Sequence, residues 1–147
     1  MAGPALQEEW IMDGLLTAIM TKTSGSALST DVGGRIYLDD APDGSTFPYV
    51  TFQIISGTPD DSFQEKVDEF IFQFSLFSAS SGAAEITDMY NDLRTLFDDC
   101  TLTMSGATFV SMQRQSLTTM IEEITVSDAA QRIRHWAVEY LVTVANL

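Results

Sequence analysis

Val67-Asp68-Glu69-Phe70-Ile71-Phe72-Gln73-Phe74-Ser75-Leu76-Phe77-Ser78 decides the fold. Phe70, Phe72, Phe74 and Leu76 alternate with Glu69, Ile71, Gln73 and Ser75, the period of two that marks a strand. One face of that strand carries three phenylalanines, and only a second layer of structure can remove them from water. Two segments have the spacing to supply it. Leu6, Trp10, Ile11, Leu15, Leu16 and Ile19 recur at helical intervals and end at the polar cluster Thr23-Ser24-Gly25-Ser26. Ile86, Met89, Tyr90, Leu93, Leu96 and Phe97 form a second helical stripe, with Ser80 and Ser81 offering an N-cap and Glu85 in the first turn.

The remaining apolar runs are strands. A short one is expected around Ile36, followed by the acidic turn Asp39-Asp40-Ala41-Pro42-Asp43-Gly44-Ser45. Pro48 to Ile55 forms the next, with proline at its start where a missing donor is tolerated. Gly57 to Ser62, holding Asp60 and Asp61, reads as a turn. Leu102 and Met104 suggest a short strand, and Phe109–Glu122 and Gln131–Val144 make two long ones split near Ser127. A turn centred at Ser127 places Glu122 opposite Arg132 as a cross-strand ion pair. The expected order is α-β-β-β-α-β-β-β, an α+β fold with two amphipathic helices on one face of a mostly antiparallel sheet. With 147 residues, 45% of them hydrophobic, the chain is expected to be a single domain with a substantial core.

Composition excludes several functions. Twenty-one acids face seven Lys and Arg, a net charge of −14, so binding to a phosphate backbone or an anionic membrane is disfavoured. Cys100 is the only cysteine and His135 the only histidine, which removes disulfides, Cys-based zinc sites and any site needing two histidines. No apolar run has the length of a membrane span, and Met1–Gln7 has no signal-peptide pattern. The Asp39 turn fails as a calcium loop, because Ala41 and Val50 occupy the third and twelfth positions. Asp98-Asp99 should raise the Cys100 thiol pKa and make it a poor nucleophile. Neighbouring carboxylates in strands point to opposite faces, so no acid–base pair emerges. No catalytic residue, cofactor or metal is expected.

The charge is uneven. Residues 1–100 carry 17 acids and 4 bases, whereas residues 101–147 carry 4 acids and 3 bases. Arg114, Arg132 and Arg134 lie on the last two strands and, with Glu122, are candidate subunit-interface residues. In a homo-oligomer the acidic turns at Asp39, Asp40, Asp43, Asp60 and Asp61 are candidates to meet those arginines.

Val32-Gly33-Gly34-Arg35-Ile36-Tyr37, Ala41-Pro42 and Phe47-Pro48-Tyr49-Val50 together resemble the tail-completion or tail-terminator family of long-tailed bacteriophages. The order of elements is similar too, ending on a strand with Arg132-Ile133-Arg134-His135-Trp136. The resemblance implies a virion structural protein assembled in the host cytoplasm. It implies a homo-oligomeric ring of six at the head-proximal end of the tail tube, with the tube protein and a head-completion or connector protein as partners. DNA would pass through the ring without specific binding, and the acidic turns at Asp39–Asp43 and Asp60–Asp61 would line its lumen or form a docking surface. Another neck or tube component, or a small acidic module mimicking nucleic acid, is the alternative.

Overall fold

A computed structural model describes residues 4–61, 66–104, 107–126 and 128–145. Three helices and five strands follow in the order α1 (Pro4–Thr23), α2 (Ala27–Asp31), β1 (Ile36–Leu38), β2 (Tyr49–Asp61), β3 (Lys66–Ser78), α3 (Ala84–Phe97), β4 (Thr108–Val126) and β5 (Ala129–Ala145). The strands form one sheet in the order β1-β2-β3-β5-β4. Only β1–β2 is parallel. The α+β class expected from the periodicities is the class observed.

The phenylalanine strand is the centre of the sheet and of the core. Phe70, Phe72, Phe74 and Leu76 are buried, as are Phe52 on β2 and Val138, Tyr140 and Val142 on β5. Ile11, Leu15 and Ile19 of α1 and Ile86, Met89, Leu93 and Phe97 of α3 complete the same cluster. The Phe74 ring stacks on Phe52 at 5.9 Å and on Phe97 at 4.9 Å. Helices thus cover one face of the sheet. Alternation places Thr51, Ser75, Ala137 and Thr118 in one row across the other face, by the register of the four long strands.

Four local expectations are corrected. α2 is an additional helix, capped by the Ser26 hydroxyl accepting from the Ser29 N–H at 3.1 Å. Leu102 and Met104 lie outside any strand, where Leu102 is buried in the core and Met104 packs against it. α3 has Ala83 at its N-cap with no side-chain cap. The Ser78 hydroxyl instead donates to Glu85 at 2.6 Å. The Gly57–Ser62 turn is strand as far as Asp61, because the β2–β3 hairpin continues through Asp60↔Val67 and Asp61↔Lys66. Ser62 and Ser127 lie outside the described residues, as do the side chains of Leu6, Trp10, Asp60 and Asp61.

Candidate functional site: the two sheet edges

The sheet ends in two unlike edges. On one side β1 covers only Val50–Phe52 of β2. On the other, β4 pairs with β5 alone along Thr108–Val126. β4 carries two register shifts, which leave Val110 and Gln115 as extra residues. Val110, Leu117, Ile121 and Ile124 are exposed large apolar residues on this strand. β5 pairs with β3 only from Arg134 onward, so residues 129–133 and 122–126 form a two-stranded arm beyond the sheet.

At the β1 edge the short motifs converge into one clasp. Gly33 and Gly34 have φ of 58° and 79°, a left-handed pair that only glycine adopts without strain. They turn the chain so that the Arg35 Nε–H donates to the Pro48 carbonyl at 3.0 Å while Ile36 pairs with Val50. The Tyr49 ring stacks on Phe47 and Phe77 and meets the edge of Tyr37. His135 continues the row, its ring stacked on Phe77 at 4.3 Å. Burial and then the charges of Asp40 and Glu122 push the Tyr49 phenol above its ordinary pKa.

The acidic turn follows β1 directly. Asp39 takes φ 66° and its N–H donates to the Phe52 carbonyl at 2.8 Å. Asp39, Asp40 and Asp43 are exposed, and Ser45 closes the turn with backbone and hydroxyl bonds to the Pro42 carbonyl. Asp60 and Asp61 belong to the hairpin strand instead.

The arginines are dispersed. Arg114 lies at 3.4 Å from Asp98, hydrogen-bonds the Tyr90 hydroxyl, and so is anchored within its own chain. The buried Tyr140 hydroxyl donates to the same Asp98 at 2.7 Å. Burial and that bond raise the Tyr140 pKa. Arg134, where β5 joins β3, donates from Nε to the Gly82 carbonyl at 2.8 Å, tying the base of the arm to the turn before α3. Arg132 does not pair with Glu122. Val126 opposes Ala129, so the register is one residue off the expected centre and Arg132 faces Glu123. That contact is 4.0 Å long between side chains 76% and 67% exposed, and such pairs contribute about 0–1 kcal/mol. Glu122 instead meets His135 Nδ1 at 3.4 Å.

Arg94 escaped the sequence reading. It is one helical turn from Tyr90 on α3, and its guanidinium carbon stands 5.3 Å from the Tyr90 ring centroid. The Arg114 guanidinium stands 5.7 Å from the same ring. A small pocket of about 220 Å³ opens beside them, lined by Tyr90, Arg114, Gln115, Ser116 and Leu117. No local pattern announces this notch, since its two arginines lie 20 positions apart on different elements, α3 and β4.

Cys100 is half-buried, and burial, ahead of the Asp98 and Asp99 charges, raises its thiol pKa. Among the described residues no group of three or more His, Cys, Asp or Glu could hold a metal ion. No described helix is long and apolar enough to cross a membrane.

Fold and edges define the class: an α+β protein with helices on one sheet face, an open second face and two unequal free edges. Residues 14–144 match the family model described as "Tail completion protein gp17". The chain belongs to that tail completion family, a family of virion structural proteins. A solved structure titled "Virion of native gene transfer agent (GTA) particle" contains a chain of the same fold. It has a TM-score of 0.68 at 17% identity, over 91% of this chain and 96% of its own. A second solved structure matches with a TM-score of 0.53 at 12% identity, over 89% and 94% of the two chains. No curated protein sequence matches.

Proposed function

We propose that this tail protein is a terminator: a ring, built from six copies, that caps the head-proximal end of the tail tube. There it stops tube growth and joins the tube to the head-completion proteins, with DNA passing through the bore. Membership of the tail completion family supports the tail role. The observation that carries the ring is the pair of unlike edges, one short and followed by the acidic turn, one long and carrying Arg114 among exposed apolar residues. Unlike edges fit each other head to tail, and a head-to-tail contact that closes by rotation makes a ring. A high negative charge suits a conduit, because it repels phosphate and prevents DNA from sticking.

The test is negative-stain electron microscopy of purified protein, alone and mixed with tail tubes. Single rings that bind one tube end are expected. Long stacks would identify a tube component instead, and a monomer that ignores tube ends at high concentration would end the reading.

A further inference from the structure

We infer that the notch formed by Arg94, Arg114 and Tyr90 is the socket for the Asp39–Asp43 turn of a second copy of this chain. The inference rests on the ring reading and names the contact that would hold the ring together.

The first support is position. The acidic turn leaves the sheet at the β1 edge and the notch lies against β4, the opposite edge. Their heights along the strands agree. Asp39 bonds Phe52, so the turn departs beside Phe52 and Gln53. Gln53, Gln73, Glu139 and Ser116 form one rung across the sheet, and Ile54, Phe72, Tyr140 and Arg114 form the next. A head-to-tail neighbour therefore brings its turn to within about one rung of Arg114, roughly 3.4 Å.

The second support is charge. The guanidiniums of Arg94 and Arg114 both stand against the Tyr90 ring; Arg114 pairs with Asp98, whereas Arg94 makes no salt bridge among the described residues. A carboxylate is the strongest acceptor a protein offers a guanidinium. Asp39, Asp40 and Asp43 are exposed on a turn held by its own hydrogen bonds, so presenting them requires little reordering.

The experiment is a charge swap read by native mass spectrometry and sedimentation, with thermal melting as the folding control. Arg94→Glu, and separately Asp40→Arg with Asp43→Arg, should each weaken association at least about tenfold while leaving the melting midpoint in place. All three changes together should restore association to within about threefold of wild type. In a Cys100→Ser background, Asp43→Cys combined with Gln115→Cys should form an intersubunit disulfide ladder ending at the ring. Rings that tolerate Arg94→Glu, a swap that restores nothing, or an absent ladder would overturn the socket and leave the ring reading standing. A wild-type chain that never associates would overturn both. If Arg94→Glu melts early, Arg94→Gln and the ladder decide in its place.

Discussion

Tyr140 shows how a single buried hydroxyl organises one end of α3. Its ring is fully buried between Phe74 and Phe97, and its hydroxyl donates to Asp98, the residue at which α3 ends. Tyr140→Phe should cost about 1.5–3 kcal/mol, the range for a hydrogen bond to a charged group, measurable as a lower urea midpoint with an unchanged slope. Asp31, at the end of α2, behaves oppositely. Local desolvation, a hydrogen bond shared with Asp92 and the charges of Asp92 and Asp88 push its carboxyl up to about 7. The folded state therefore holds a proton that the unfolded chain releases near 3.8. This contribution to stability is present below pH 4 and is lost as pH rises to 7. Asp31→Asn should stabilise the protein at pH 8 by about 1 kcal/mol, a figure kept small because the residue is exposed. It should also flatten the pH dependence of the melting temperature between 4 and 7. A variant that melts below wild type at pH 8 would contradict the assignment.

At the scale of elements, strong periodicity survived folding and weak patterns did not. β3 and α3 were legible because each repeats its apolar residues over a dozen positions, and the same residues form the core. α2 was missed because five residues give only Leu28 for burial, too few to show a period. Leu102 and Met104 imitate a strand because both point inward, although neither lies in a strand. Gly57, Pro59, Asp60 and Asp61 have turn composition, yet pairing with Lys66–Phe70 holds them in strand. Pro59 is tolerated there because β1 ends before reaching it. Gly57 has a packing reason as well. A Cβ at this position would approach two Phe70 ring carbons at 3.1 Å. Gly57→Val should displace that buried ring and cost about 1–3 kcal/mol, seen as a lower melting temperature. The candidate site was less legible than the fold. The short motifs around Gly33 and Pro48 carried the family resemblance but not the contact between them, and the Arg94–Arg114 notch depends on how α3 packs on the sheet, which no local pattern encodes.

For the whole molecule, the β4–β5 arm is the part that the isolated fold does not explain. Residues 122–126 and 129–133 pair only with each other, and a two-stranded ribbon is marginally stable alone in water. Ile121 and Ile124 are 54% and 38% exposed, one on each face of the ribbon by alternation. An exposed isoleucine on each face, beside the exposed Glu123 and Arg132, gives the ribbon and its base both apolar and charged groups to offer a neighbouring copy. Mutating it therefore separates folding from assembly. Ile121→Lys with Ile124→Lys changes only exposed side chains, so the melting midpoint should move by no more than about 0.5 kcal/mol equivalent. If the arm crosses to the next copy, the same pair places two charges in an apolar contact, and rings should give way to monomers in sedimentation at unchanged thermal stability. Rings that persist with wild-type affinity would mean that the arm points away from the subunit contact. The acidic turn and β4 proper would then have to close the ring unaided.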